Sequence, residues 1–249
     1  MQWSDDGIVL SARKHGESSA IVQVLTRAQG RHAGLVRGGA GRSKRGILQP
    51  GNEIRATWRA RLVDHLGNYT VEPVRARAAQ VMDDPLRLGA LSSACAVAEV
   101  ALPEREAHPA AYDGFILLLD AIEKAEHWPH IYVRWELGLL GELGFGLDLS
   151  ACAQTGEVGG LAYISPRTGR AVTAAAAGQY KHRLLKLPAF LSPLGNGDEE
   201  SEDDVADGLA LTGFFLERHV LAPHHMPVPP ARTRFVARFN ARFMAESPQ

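Results

Sequence analysis

The sequence predicts an α+β protein with two domains: an N-terminal five-stranded barrel over residues 1–80 and a mostly α-helical domain over residues 81–249 with a short β-hairpin insertion. Three observations lead to this prediction. Residues 1–80 consist of short segments rich in β-branched residues, separated by turn residues. From Asp83 onward, apolar residues recur at helical spacing. The charge of the chain also changes sign near residue 80.

The expected strands follow one another through short turns and one long connection. Residues 38–46, GGAGRSKRG, form this connection and are too rich in glycine and cations for a regular element. Residues 52–62 show the clearest period of two, and Trp58 lies on their apolar face, opposite the arginines. That apolar face consists of Ile54, Ala56, Trp58, Ala60 and Leu62. The strands are expected at residues 7–13, 20–26, 31–37, 52–62 and 69–75, which is typical of a small barrel.

Helices are expected after the barrel. Asp83 and Asp84 followed by Pro85 predict a helix start, because aspartate caps free N–H groups and proline fits the first turn. Residues 150–175 predict a hairpin, and residues 198–207, with seven acids, predict a solvated loop leading into a helix that ends near residue 221. The other helices are expected at residues 85–102, 110–125, 129–143 and 231–245. The last carries Phe235, Phe239 and Phe243 beside Arg234, Arg238 and Arg242.

Charge is distributed unevenly along the chain. The net charge is only −1, yet residues 1–80 carry 13 Lys and Arg against six Asp and Glu, a net +7. The remainder is therefore −8. Such asymmetry favours a polyanion-binding module joined to a second domain. The alternative is an incidental imbalance of solvated surface charge.

Seven cations form the candidate site. Three are expected on one side of the strand at residues 52–62, and four lie in or next to the glycine-rich connection, where small neighbours let a ligand backbone approach. Cations spaced along a surface can follow phosphates without reading bases. We therefore predict nucleic-acid binding, the alternative being a barrel face that arginine merely keeps soluble. The predicted contacts are Arg37, Arg42, Lys44, Arg45, Arg55, Arg59 and Arg61.

Signatures of catalysis and of membrane insertion are missing from the sequence. Residues 38–46 fit neither GxxxxGK[ST] nor GxGxxG, so we predict no nucleotide-hydrolysing site, no cofactor and no enzyme. A metal site at His219, His224 and His225 is the enzymatic alternative. Two cysteines cannot form a disulfide framework, and no apolar run is long enough for a membrane helix. With no signal peptide recognised, we expect a cytoplasmic protein.

Four sequence motifs resemble the bacterial RecO family. They are GLVRGGAGRSK at residues 34–44, LQPG at 48–51, LGFGLDL at 143–149 and YISPRTG at 163–169. Their order and spacing match the family over about residues 5–245. The resemblance implies an OB-fold at the N-terminus and a helical C-terminal domain. It also implies a nucleoid-associated recombination mediator that binds single- and double-stranded DNA and anneals complementary strands.

The resemblance further implies partners. Such a mediator works with RecR, and in some lineages RecF, to load RecA onto DNA coated by single-strand-binding protein. The acidic, phenylalanine-terminated tail of the latter is expected on the helical domain, with cations from Lys124, Arg134 or the arginines of residues 231–245. A second hypothesis is an RNA-binding or ribosome-associated OB-fold module with a helical interaction domain. Composition does not separate the two hypotheses, because both require a basic barrel and no catalytic groups.

The sequence departs from the family at one site. Many members carry two CxxC pairs that bind zinc on either side of the hairpin. Here Cys152 is followed by Ala153, Gln154 and Thr155, and residues 173–177 contain no cysteine. Because structural zinc needs about four ligands, the region at 150–177 is predicted to be a degenerate, zinc-free finger. Cys95 is expected to be a small buried core residue.

Overall fold

Five strands near the N-terminus close into a barrel: β1 Gln2–His15, β2 Ser19–Thr26, β3 Gly30–Val36, β4 Glu53–Arg59 and β5 Asn68–Arg75. They belong to a computed structural model that describes residues 1–192 and 202–246. The strand order is β1-β2-β3-β5-β4, as in an OB-fold. The predicted fold class, an OB-fold barrel followed by helices and a small β-insertion, is confirmed.

Strand β1 is long enough to serve both sides of the barrel. Its first half pairs with β4 and its second half with β2, both antiparallel. The register shifts between Val9 and Ser11, where the strand bends. A short parallel contact that pairs Val36 of β3 with Tyr69 of β5 closes the barrel. The buried core includes Val9, Val22, Val24, Val36, Ile54, Ala56, Trp58 and Tyr69.

Strand β4 is shorter than predicted. It ends at Arg59, and residues 60–67 form a loop in which Leu62 is 55% exposed. The cause is a bond from the buried Trp58 indole, whose Nε1 donates to the carbonyl of Leu66 at 2.9 Å and turns the chain back. Gly67 makes this possible, because it has a φ of +64° and a Cβ there would lie 2.3 Å from Trp58 Nε1. The prediction of a strand to residue 62 is therefore wrong.

The connection between β3 and β4 contains one regular turn. Arg42–Arg45 form a single-turn helix, α1, where the sequence predicts no regular element. The amides of Lys44 and Arg45 both donate to the carbonyl of Gly41, at 3.2 and 3.0 Å. Leu48 lies three residues after Arg45 and is buried in the barrel core, and its amide donates to the carbonyl of Lys44 at 3.0 Å, so it anchors this turn.

Three helices follow the barrel: α2 Arg77–Gln80, α3 Pro85–Ala101 and α4 Pro109–Lys124. The predicted cap is confirmed, since the Asp84 carboxylate accepts from the amides of Leu86 and Arg87 at 2.9 and 3.1 Å. Cys95 is buried in α3, as predicted. By residue contacts, a first unit comprises residues 1–125 and 229–235. The apolar face of α4 is buried, with Phe115, Leu118, Leu119 and Ile122.

A buried arginine ties α4 to the barrel within this unit. The side chain of Arg77 is 2% exposed. Its Nε donates to Glu53 at 2.6 Å, and its Nη1 donates to Asp120 and Glu123 at 2.7 and 2.8 Å. Arg75 binds the same two α4 carboxylates. Charge compensation of this kind is what makes a buried arginine tolerable.

A second unit comprises residues 126–228 and 236–249. Its small sheet has the order β7-β6-β8, so the predicted hairpin is confirmed, and a third strand of two residues adds to it. Glu136 of the first helix is fully buried and accepts a hydrogen bond from Thr212 at 2.5 Å. Among the helices of the described ranges, none is long and apolar enough to cross a bilayer. The elements are α5 Trp128–Glu142, β6 Leu161–Ile164, β7 Ala171–Thr173, α6 Ala174–Ala177, β8 Leu185–Lys186 and α7 Glu202–Phe215, with α8 Pro230–Glu246 near the end of the chain.

The remaining sequence predictions concern the acidic run and α8. The sequence predicts a loop over residues 198–207, of which 198–201 lie outside the described residues. From Glu202 onward this prediction is wrong, because those acids belong to α7. A π-helical stretch, Leu216–Leu221, ends that element at the predicted place. In α8, Phe235 and Phe239 are buried, while the side chain of Phe243 lies outside the described part. The domain boundary after residue 80 stays a prediction.

Candidate nucleic-acid interface

Four of the seven predicted cations lie on the connection between β3 and β4. Arg37 directly follows β3, and Arg42, Lys44 and Arg45 belong to α1. The Lys44 ammonium donates to the carbonyl of Arg37 at 2.8 Å, which holds the two ends of the connection together. The three arginines are exposed, and no carboxylate of the described residues pairs with them. These cations are therefore free to bind an external anion.

The structure adds Lys14 of β1 to this group. The Ala40 amide donates to the carbonyl of Ser18 at 2.9 Å and holds the connection against the β1–β2 turn. Lys14 and Arg45 consequently line the same cavity of about 280 Å³, together with Glu17. Sequence reasoning misses Lys14, although its position beside the turn at residues 16–18 is a usable signal.

Arg55 is already occupied by an internal partner. It faces Asp6 across the paired strands β4 and β1, and its Nε and Nη2 donate to the two carboxylate oxygens at 2.8 and 2.9 Å. The hydrogen bonds from Arg55 lower the pKa of Asp6, and the same bonds raise the pKa of Arg55. Glu72 lies opposite Arg55 on its other side, on β5. A phosphate would therefore have to displace Asp6 to pair with Arg55.

Arg59 and Arg61 are placed differently from Arg55. Arg59 ends β4 between the uncharged residues Gln2 and Asn68 on the two neighbouring strands. Arg61 lies beyond the strand in the 60–67 loop, so the prediction that one strand presents all three arginines is wrong. Both side chains are exposed and pair with no acid in the described ranges. We call the unpaired cations of the barrel the basic face: Lys14, Arg37, Arg42, Lys44, Arg45, Arg59 and Arg61.

Sheet register links the two parts of the basic face. Val36 and Trp58 are paired with Tyr69 from opposite sides. Arg37 and Arg59 directly follow those two residues. Two strand spacings of about 4.8 Å and an offset of about two residues separate them, so their Cα atoms lie about 10–12 Å apart. This separation is about twice the distance between neighbouring phosphates of a single strand, so the cations suit an extended polyanion.

Two family models match the chain on either side of residue 80. Recombination protein O N terminal matches residues 1–77, and Recombination protein O C terminal matches residues 82–226. The chain belongs to the RecO family. A DNA repair protein RecO from Rhodospirillum centenum is 56% identical over 242 residues, covering 96% of this chain and 95% of that protein. One from Rhodospirillum rubrum is 51% identical over 245 residues, covering 96% and 97%. One from Phenylobacterium zucineum is 51% identical over 240 residues, covering 96% and 98%.

The residues at the position where the family resemblance implies zinc do not fit a zinc ion. Cys152 is the one thiol there, and its Sγ accepts from the amide and hydroxyl of Thr173, at 3.4 and 3.7 Å. Desolvation raises the pKa of Cys152, but hydrogen bonds from Thr155 and Thr173 outweigh it and lower that pKa to about 6. Backbone bonds from Cys152 to Glu157 and from Ala153 to Ala171 hold the segment to the hairpin. Threonine groups therefore surround the thiol at the positions where a zinc ion would need further ligands.

The histidines also form no metal site in the part of the chain that the structure describes. His219 stacks between Phe145 and Phe215, with ring centroids 5.3 and 5.7 Å away. His224 and His225 are exposed at the end of a short helical turn. No group of three or more His, Cys, Asp or Glu in residues 1–192 and 202–246 is placed to hold a metal. The packing of His219 is that of a structural residue.

Cations suggested for a partner's acidic tail have varied environments. The Arg134 guanidinium lies over the Phe190 ring, 5.0 Å from its centroid, and donates to the Phe190 carbonyl. On α8, Arg234, Arg238 and Arg242 are exposed while the phenylalanines between them are buried. This is the pattern of a helix with one solvated face. Which of these cations meets the tail stays a prediction.

Proposed function

We propose that this chain is a DNA repair and recombination mediator that binds single- and double-stranded DNA through the basic face of its OB-fold. The proposed activity is the annealing of complementary strands and, with RecR, the loading of RecA onto DNA coated by single-strand-binding protein. Its RecO relatives carry the name DNA repair protein. The protein would act by binding and aligning strands, with no catalytic step of its own.

The observation that carries the proposal is the basic face itself. Seven cations lie on one small barrel, and no carboxylate of the described residues neutralises them. Arginine and lysine bind phosphate oxygens at any base sequence, so the binding would be non-specific and sensitive to salt. Small residues around Arg42 leave room for a nucleic-acid backbone.

The RNA-binding alternative is tested by competition. Fluorescent single-stranded DNA is bound to the purified protein and displaced by unlabelled DNA or RNA of the same sequence. A mediator of DNA repair should release the probe to DNA at least as readily as to RNA. A strong preference for RNA would favour the ribosome-associated function. Arg27→Ala is the control for the loss of a cation outside the basic face, because Arg27 is exposed but already paired with Asp113 at 2.9 Å.

The proposed partners follow from the family. RecR and, in some lineages, RecF would share the DNA-bound complex, and the tail of single-strand-binding protein would dock on the helical unit. A phenylalanine-terminated acidic tail needs an apolar pocket with cations at its rim. We place the protein at the nucleoid in the cytoplasm, where these partners act.

A further inference from the structure

A second cavity lies at the end of the barrel where β1 begins and β4 ends. Its volume is about 520 Å³, larger than the one beside Lys14. Its lining combines rings from three strands with polar side chains at the edge. The rings are Trp3, His32 and Trp58, and the polar side chains at the edge are Gln2, Gln29 and Arg105.

The inner wall of the cavity is aromatic. Trp3 and Trp58 are nearly parallel, 18° between planes and 6.0 Å between centroids. His32 packs edge-on against both, 5.2 and 4.8 Å away. Burial lowers the pKa of His32, so the imidazole is neutral at physiological pH. The wall therefore offers uncharged π-surface, and Trp3 is the partly exposed ring of the three.

The polar groups at the edge are available to a ligand. The side-chain amides of Gln2 and Gln29 make no hydrogen bond within residues 1–192 and 202–246. Each amide offers donors and an acceptor, as the edge of a nucleobase does. The Trp58 indole N–H, by contrast, is used on Leu66. Specific polar contacts to a ligand would thus come from the glutamines.

Arg105 keeps the loop beside the cavity in place. Its backbone is left-handed, with a φ of +63°, which is strained for an arginine. The amide of Arg105 donates to the carbonyl of Arg31 at 2.7 Å and fixes this conformation. Its Nη2 donates to the carbonyls of Asp64 and His65 at 3.4 and 3.2 Å. Arg105 is a positioning residue that holds the 60–67 loop.

Cations lie at the edge of the cavity. Arg105 lines it, and Arg61 lies two residues before Val63, which also lines it. Asp64 of the same loop pairs with Arg105 at 4.0 Å. A ligand with a flat ring, hydrogen-bonding edges and an attached anion fits this combination. We propose that the cavity takes one unstacked base of a single strand bound along the basic face, with its ring against Trp3. This inference rests on the proposed function and adds a base-dependent contact to it.

The test distinguishes contacts to bases from contacts to phosphates. Binding of the full-length protein, tagged at its C-terminus, is measured with a thymine oligonucleotide and with an abasic one of equal length. Base stacking contributes roughly 1–3 kcal/mol, about 5- to 150-fold in affinity, so the thymine strand should bind at least about five-fold more tightly. Trp3→Leu should remove this preference and leave abasic binding unchanged, while Trp3→Phe should keep most of it. The preference should persist at high salt, because it does not depend on counterion release.

Several results would overturn the inference. Equal binding of the two oligonucleotides by the wild type would do so, and so would a Trp3→Leu variant that keeps the preference. If Trp3→Leu does not fold, Gln29→Ala replaces it, with loss of at least half of the preference expected and an unchanged preference contradicting the inference. Failure of both oligonucleotides to bind would instead refute the proposed function. An acidic peptide ending in phenylalanine that competes with the thymine oligonucleotide for the wild type, and that binds Trp3→Leu weakly, would assign the cavity to a protein partner.

Discussion

Arg55 and Asp6 face each other across strands β4 and β1 in a two-pronged ion pair, with N–O distances of 2.8 and 2.9 Å. Asp6 lies 49 positions away in sequence. The pair therefore depends on the strand register. It removes one cation from the predicted DNA-binding set and leaves Arg59, on the same strand, unpaired.

This difference predicts unequal effects of two similar substitutions. Arg59→Ala should reduce the slope of log K against log salt for single-stranded DNA by about 0.7, the value for one phosphate contact. Arg55→Ala should change it little, because Asp6 already neutralises that guanidinium. Fluorescence anisotropy titrations at several salt concentrations measure both. A larger change for Arg55→Ala would show that DNA displaces Asp6.

The cations of α1 should dominate the salt dependence. If about four to six cations contact phosphates, the wild-type slope should be about −3 to −4. Replacing Arg42, Lys44 and Arg45 together by alanine should flatten it by about 2. Thermal unfolding should change only slightly, because Arg42 and Arg45 are exposed and Lys44 loses one hydrogen bond, to the carbonyl of Arg37. The slope of Arg27→Ala serves as the control. An unchanged slope in the triple variant would move the DNA-binding surface elsewhere.

Arg77 should matter for stability. Arg77→Met leaves Glu53 without its buried partner and leaves Asp120 and Glu123 with Arg75 alone, so the loss of unfolding free energy should reach at most the about 3–5 kcal/mol of a broken buried ion pair. Desolvation raises the pKa of Asp120, but hydrogen bonds and charge from Arg77 and Arg75 outweigh it and bring that pKa below its ordinary value. The stability that the ionised Asp120 contributes is complete above about pH 4 and is lost as pH falls through the lowered pKa. Urea unfolding should therefore show a gap between wild type and variant that narrows in acid, whereas a constant gap would contradict this ion-pair account.

Cys152 should behave as a thiolate without zinc. We expect the protein to purify without stoichiometric zinc and chelators not to unfold it, because one thiol cannot close a structural site. Ultraviolet absorbance of the thiolate should titrate near pH 6 and disappear in Cys152→Ser. One zinc per chain by elemental analysis would contradict this prediction and direct attention to His182, His219, His224 and His225.

The tail of single-strand-binding protein should bind with micromolar affinity. A labelled peptide of this acidic tail, titrated into the full chain, should lose binding when its terminal phenylalanine is deleted, because the ring fills the apolar pocket. Arg234→Ala and Arg238→Ala on α8 then report whether that exposed face supplies the cations. No binding at low salt by the folded protein would rule the interaction out.

Local patterns predict the elements of this fold better than they predict the site. Alternation around Trp58 and the cap at Asp84 give β4 and α3 because their causes lie within a few residues. The end of β4 is missed, since it depends on a bond between Trp58 and a loop carbonyl. The two-residue strand β8 is too short to leave a periodic signal.

The site is only partly predictable for the same reason. Clustered cations mark Arg42, Lys44 and Arg45 in the sequence, whereas the pairing of Arg55 and the proximity of Lys14 to Arg45 arise from tertiary packing. The aromatic cavity shows this most clearly. Trp3, His32 and Trp58 come from three strands and meet only when the barrel closes.

Annealing of complementary strands coated with single-strand-binding protein tests the central claim most directly. Two dye-labelled strands are coated, mixed with the protein and followed by energy transfer. The wild type and Arg27→Ala should accelerate annealing equally, and the Arg42, Lys44 and Arg45 triple alanine variant should lose most of that acceleration. A wild-type protein that leaves the annealing rate unchanged, or a triple variant as fast as the wild type, would contradict annealing through the basic face.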